Sequence, residues 1–311
     1  MSGLTEVETK AEEHGDSLGL GAIRPNVHGL HMELAPTLTW RADPVDLFSN
    51  CHWSWVVSNV DADAIPESHF IGELGLTHWV DRDVSYGKAD ITSEMLVPGT
   101  SFVRIGILAT FADLVAGQPP SGAMNPTTDL SVHIDRPTEM STVHLESRVV
   151  KAGATLVVIE TRLTADHLAV PFATSLATFM NRKIQVTGRA GQHSVRLSQP
   201  VAERIGAHVT GPGTVEMMIR DDVGNSFGTV QGGVLAVLAE LAAESAVGQD
   251  EPFVLTDLDA RYLNRVKVGP VEAVAEVLID RPPRGTLGVH VRDRGEGRVV
   301  TYVAASGTTS R

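Results

Sequence analysis

The feature that most restricts this chain is a long internal repeat built around an apolar segment that ends in a single acid. Arg104-Ile105-Gly106-Ile107-Leu108-Ala109-Thr110-Phe111-Ala112-Asp113 lines up with Gln231-Gly232-Gly233-Val234-Leu235-Ala236-Val237-Leu238-Ala239-Glu240, each pair 127 positions apart. Thr128-Asp129-Leu130 then matches Thr256-Asp257-Leu258 at a separation of 128, so one residue of indel lies between the two alignments. Self-similarity on this scale means two copies of one folding unit, placed at 66–185 and 196–311, with a linker at 186–195 inside a stretch rich in Gly, Ser and Gln. The length of 311 residues suits two such cores.

Each copy reads the same way. A β-rich approach (Ala89 to Leu96; Gly213 to Ile219) leads through a Gly-containing loop into a helix, Gly106 to Val115 and Gly233 to Val247. Strands follow at Thr128–Ile134, Thr142–Val150, Thr155–Leu163 and Pro171–Met180, and again at Leu255–Leu263, Pro270–Ile279, Gly285–Val291 and Val299–Ala305. One helix and then several strands without crossover helices predicts an α+β fold with an antiparallel sheet. Residues 1–65 form an N-terminal extension, polar at first and then bearing Trp40, Trp53 and Trp55.

At 100° per residue the first helix has large apolar residues on one face (Ile107, Leu108, Phe111, Leu114, Val115) and Ala109, Ala112 and Ala116 on the other, with Asp113 beside the alanines. The second repeats the pattern with Glu240 in place of Asp113. A helix apolar on most sides is buried, and a buried carboxylate must be paired, hydrogen-bonded or protonated. A purely structural hydrogen bond is one explanation. The other is suggested by the loop Asn225-Ser226-Phe227-Gly228-Thr229-Val230-Gln231-Gly232-Gly233, which brings two glycines to a helix N-terminus where free N–H groups can receive an oxyanion. A carboxylate beside an oxyanion hole points to acyl transfer. A phosphate loop would need Lys and Ser/Thr after the last glycine, where Val234 and Leu235 stand.

At these residues the chain resembles the hotdog-fold acyl-CoA thioesterases, the PaaI-like and 4-hydroxybenzoyl-CoA thioesterase group, through Asn225-x5-Gln231-Gly232-Gly233-x6-Glu240 and its partial echo before Asp113. The family pattern has His where Gln231 stands. The resemblance implies a tandem double hotdog, each half a sheet wrapped around its long helix, with active sites straddling the two halves. It implies one site from Asp113, Asn225, Gln231, Gly232 and Gly233, with Thr127 near the carboxylate. The second would combine Glu240 with Pro98, Arg104, Ile105 and Leu255, and looks degenerate. Arg104 is expected to pair with Glu240 instead. The implied activity is acyl-CoA hydrolysis with Asp113 as nucleophile or general base; the alternative is a non-catalytic acyl-CoA binding or sensing protein. Coenzyme A enters only as part of the substrate, with Arg136, Arg265 and Lys267 as candidates for its phosphates, and no resident cofactor is implied. A hotdog hydratase would need a His five residues after its acid, where Gln118 and Ser245 stand.

Composition closes off other classes. With 25 Lys+Arg against 38 Asp+Glu the net charge is −13, and without a basic stripe the chain is not expected to bind nucleic acid. No apolar run is long enough for a membrane span. The single cysteine, Cys51, and a polar beginning fit a reducing cytoplasm. His28, His31, His52, His69 and His78 have no metal-ligand spacing, so no metal site is expected. Exposed sheet edges favour a homo-oligomer.

Overall fold

The computed structural model describes residues 69–117, 123–181, 184–185, 196–225, 227–247 and 251–309. The N-terminal extension with its tryptophans and histidines 28, 31 and 52, the linker 186–195, and Gln118 and Ser226 lie outside them. The first half runs α1 (Phe70–Glu73), β1 (Thr77–Asp81), β2 (Val84–Asp90), α2 (Ile105–Ala116), β3 (Ala123–Met124), β4 (Thr127–Ile134), β5 (Thr142–Ala152), β6 (Leu156–Ala165), β7 (Ala173–Met180) and β8 (Ile184–Gln185). The second runs α3 (Val201–Ile205), β9 (His208–Gly211), β10 (Thr214–Met217), α4 (Gly232–Val247), β11 (Phe253–Tyr262), β12 (Val271–Arg281), β13 (Arg284–Asp293) and β14 (Arg298–Thr309). Both long helices and every strand expected after them are present, the strand ends moving by a few residues.

The two copies share one 12-stranded sheet, ordered β1-β2-β5-β6-β7-β4-β11-β14-β13-β12-β10-β9, and belong to one compact unit. Its centre is the antiparallel pairing of β4 with β11, which turns about Ser131 opposite Asp259. Those residues are 128 apart, the spacing of the sequence repeat, so the copies are related by a pseudo-twofold axis through this pair. The polar pairs across the seam obey the same symmetry: Asp129–Arg261 at 3.1 Å and His133–Asp257 at 3.0 Å. Strand alternation puts Leu130, Val132, Leu258 and Ala260 on the helix side, all fully buried.

Every residue of α2 is buried, as its apolar circumference requires, and α2 packs against α4 as well as against the sheet. The helices approach at two glycines. A Cβ on Gly106 would lie 2.8 Å from the Val237 Cα, and one on Gly233 would lie 2.1 Å from the Thr110 Oγ1. These contacts are symmetry mates, which explains why glycine recurs at both places. Gly233→Ala is expected to cost about 2–3 kcal/mol in urea unfolding, because the clash falls on a packed side chain in the helix crossing. Thr110→Ala in the same chain should recover only part of the loss, because the Thr110 Cβ that it keeps lies 2.7 Å from the new methyl.

The approach to α2 differs from the expected β segment at Ala89 to Leu96. β2 stops at Asp90, and Ser93–Met95 form a 3-10 turn, with the Ser93 hydroxyl on Glu94 at 2.8 Å. Short hydroxyl side chains offer the backbone a local alternative to the ladder, and Pro98 removes a donor. The hairpin strands β1 and β9 and the one-turn helices α1 and α3 carry too little periodicity to be legible. The β1–β2 turn even places Arg82 at φ 54°, a conformation that its side chain does not announce.

Candidate active site

Asp113 lies at the end of α2 that meets the N-terminus of α4. Its Oδ1 accepts from the Thr127 hydroxyl at 2.7 Å, and its Oδ2 accepts a long 3.5 Å contact from the Gln231 Nε2. Thr127 is aimed there by a bulge. The β4–β7 register slips between Thr127 and Asp129, with the extra residue Thr128 donating to the Thr178 carbonyl at 3.1 Å and to Asp129 at 2.8 Å. The second copy repeats the bulge with Thr256, on the Ser306 carbonyl and Asp257, but presents Leu255, which has nothing to donate.

Gln231 ends the loop and starts the helix. Its backbone carbonyl accepts from Val234 and Leu235, while its side-chain Oε1 accepts the Gly233 N–H. The amide thus caps α4 with one end and touches Asp113 with the other, a bridging role that an uncharged side chain can fill as donor and acceptor at once. The Gly232 N–H has no hydrogen-bond partner among the described residues. Asp113 is 8% exposed, and burial pushes its pKa from 3.8 up to about 6 against the opposing bonds from Thr127 and Gln231. Among the described residues no cationic side chain contributes to that balance.

The symmetry-related site is closed. Glu240, one methylene longer than Asp113, reaches the N-terminus of α2 and accepts from the Ile105 N–H at 3.1 Å and the Gly106 N–H at 2.9 Å. Both N–H groups that an oxyanion would use there are therefore occupied. Arg104 forms the expected ion pair with Glu240, at 3.9 Å, and a closer one with Glu244 at 2.7 Å. Burial raises the pKa of both acids, and Arg104 opposes that rise. Glu240 thus caps a helix inside a buried ion network.

The remaining candidates divide. Asn225 holds the loop: its Oδ1 accepts from the Phe227 N–H at 2.9 Å and the Thr229 N–H at 3.3 Å, the geometry of a side chain that nucleates a turn. No bond joins it to Asp113 among the described residues. Arg265 and Lys267 are exposed on the segment after β11, which Thr229 ties to the α4 loop by two bonds with Val266, at 3.0 and 2.9 Å. Asp293 stiffens that segment by accepting the N–H groups of Lys267, Val268 and Gly269 at 2.7, 3.0 and 2.8 Å. Arg136 does not join them. It follows β4, on the segment that Glu139 ties to Ser101 ahead of α2, so the pseudo-twofold axis puts it beside the closed Glu240 site, where it pairs with Asp135 at 3.6 Å.

Two residues near the site were given no part in it from the sequence. Tyr262, at the end of β11, donates to the Gly232 carbonyl at 3.0 Å and packs on Gly232. Burial, and then the charge of Asp113, raise the pKa of its phenol well above the usual value. The legible signal was that Tyr262 stands where the first copy has Ile134, 128 positions earlier. The ring of His69 accepts from the Ile71 N–H at 3.3 Å and, through its other nitrogen, donates to the Gly224 carbonyl at 3.2 Å, so the first copy also braces the α4 loop. Nothing local marks that contact. Among the described residues there is no group of His, Cys, Asp and Glu suited to a metal, and no helix long and apolar enough to cross a membrane.

Solved structures that share this architecture are hotdog proteins. A putative thioesterase II from Thermobifida fusca superposes with a TM-score of 0.55 at 15% identity, covering 79% of this chain and 99% of its own. A conserved hotdog-fold protein of unknown function from Alicyclobacillus acidocaldarius gives 0.54 at 12% identity, with 78% and 99% covered. A TesB protein from Mycobacterium avium subspecies paratuberculosis gives 0.53 at 15% identity, with 78% and 98% covered. No protein-family model and no curated protein matches the chain. The likeness establishes the fold: the chain is a double hotdog, two helices each wrapped by half of one antiparallel sheet.

Proposed function

We propose that this double hotdog is a thioester hydrolase acting on acyl-CoA, with one working site made by Asp113 and Thr127 from the first copy and Gln231 and Gly232 from the second. The observation that carries the reading is an asymmetry between symmetry-related positions. Glu240 is capped, paired and closed off, whereas Asp113 is a buried carboxylate without a cation, facing a helix start whose Gly232 N–H has no partner among the described residues. A fold needing only structural acids would have treated both alike.

In this scheme the thioester carbonyl lies against the Gly232 N–H, which stabilises the negative charge that develops on oxygen. One such donor contributes roughly 3–4 kcal/mol to the barrier. Asp113 takes the proton of an attacking water, or attacks the carbonyl itself to give an anhydride that water then opens. In the first route the C–S bond breaks and the thiolate leaves with the proton that Asp113 took from water; in the second it leaves as a thiolate that solvent protonates, and the water that opens the anhydride releases Asp113; in both the acyl group ends as a carboxylate. Thr127 holds one carboxylate oxygen and leaves the other to the reacting atoms. Gln231 polarises the carbonyl without gaining a proton, where the related pattern has His. Arg265 and Lys267 stand on the braced segment beside the loop and bind the phosphates of coenzyme A. No resident cofactor is needed, because coenzyme A arrives with the acyl group.

The test is release of free thiol from a panel of short, medium, long and aromatic acyl-CoAs across pH 4 to 9. Asp113 must be ionised to act, so kcat/KM is expected to rise with pH and level off above a midpoint of about 6. Saturable acyl-CoA binding without thiol release at any pH would make the protein a binding module instead.

A further inference from the structure

The helix that presents the oxyanion donor begins with two glycines, and glycine does not hold its own backbone angles. Something outside the helix must hold them. The peptide before Gly232 is held because the Gln231 carbonyl accepts from Val234 at 3.0 Å and Leu235 at 3.3 Å. The peptide after it is held by a different group, the Tyr262 hydroxyl, which donates to the Gly232 carbonyl at 3.0 Å. The ring completes the clamp, since a Cβ on Gly232 would lie 3.1 Å from the Tyr262 Cζ and 3.2 Å from its Oη. Ile134, the symmetry mate of Tyr262, has no hydroxyl, and the α2 start that it accompanies is closed by Glu240.

We infer that Tyr262 is a positioning residue of the Asp113 site, clamping Gly232 so that its N–H stays aimed at the thioester oxygen. The inference rests on the hydrolase reading above. It requires a phenol that stays protonated and donating, and the high pKa imposed by burial and by Asp113 keeps it so through the working pH range. The groups facing Asp113 are Thr127 from β4, Gln231 at the start of α4 and Tyr262 from β11, so the clamp and the carboxylate share one wall.

The experiment compares wild type with Tyr262→Phe, which keeps the ring and removes the hydroxyl. Misaiming an oxyanion donor acts on the transition state, so kcat is expected to fall about tenfold with KM unchanged. The pH midpoint should not move, because the ring still shields Asp113. Amide hydrogen exchange in the first turn of α4 should quicken, while α2 and the sheet exchange as before. An active wild type with unchanged kcat in Tyr262→Phe, or with a raised KM alone, would overturn this inference and leave the hydrolase reading intact. A wild type that releases no thiol from any acyl-CoA would overturn both.

Discussion

Asp113→Asn is expected to lower kcat/KM for acyl-CoA hydrolysis by about 10²–10⁴-fold, the usual worth of a positioned base, while making the protein more stable above pH 6. Both effects have one cause. Asn keeps the shape of Asp and can still accept from Thr127, so the site stays assembled without the charge that burial penalises. The folded-state pKa of Asp113 is raised from 3.8 to about 6, so the native state binds this proton more tightly than the unfolded chain does. Native stability is therefore highest while the group is protonated in both states, and it falls as pH climbs from about 4 to about 6. Two pK units correspond to about 3 kcal/mol, an upper bound on what the substitution recovers at pH 7 to 8. Urea unfolding at pH 4 and pH 8 reads this directly: no gain at the lower pH, a gain at the higher. Glu240→Gln provides the contrast and should retain turnover. Loss of activity in that variant alone would place the working site at the other helix.

Arg104→Met is expected to destabilise the protein by about 3–5 kcal/mol at pH 8, the cost of leaving buried charge without its partner. Arg104 is 3% exposed and stands against both Glu244 and Glu240. Without it Glu240 keeps the N–H bonds of Ile105 and Gly106 while Glu244 loses its Arg104 bond, and the pKa values of both, already raised by burial, rise further. Acids with raised folded pKa values give up native stability as pH rises, so the damage should be smaller at pH 5 than at pH 8. Adding Glu240→Gln and Glu244→Gln to Arg104→Met should restore most of the loss, because a neutral set leaves no charge unpaired. Equal destabilisation at both pH values would mean that Arg104 contributes packing rather than charge.

These effects separate two acids that look equivalent along the chain. Periodicity is a local property, and it was enough to place both helices, to bury them, and to mark one acid on each as needing a reason. The repeat spacing recurs in the seam, where Ser131 and Asp259 pair at the same 128-residue interval as the sequence match. Thr127 was expected from the family resemblance, which implies a hydroxyl near the carboxylate, and the second copy has Leu255 in its place. The short hairpin strands and one-turn helices were not legible, because their ends are set by the sheet edge they complete rather than by a pattern of their own.

The difference between the two sites arises at longer range. Glu240 closes its helix start because one extra methylene lets it reach two N–H groups about 135 residues away, whereas Asp113 falls short and needs Gln231 to bridge the gap. Asn225 spends its carbonyl on its own loop, Arg136 is carried by the pseudo-twofold axis to the closed side, and Tyr262 arrives from the far end of a strand to clamp Gly232. Periodicity and the repeat were therefore enough for the helices, the antiparallel strands and the two-copy architecture, because burial and backbone geometry repeat with the helix and strand. Which N–H remains open, and which acid remains without a cation, depends on contacts between residues more than a hundred positions apart, and those exist only once the sheet has closed around both helices.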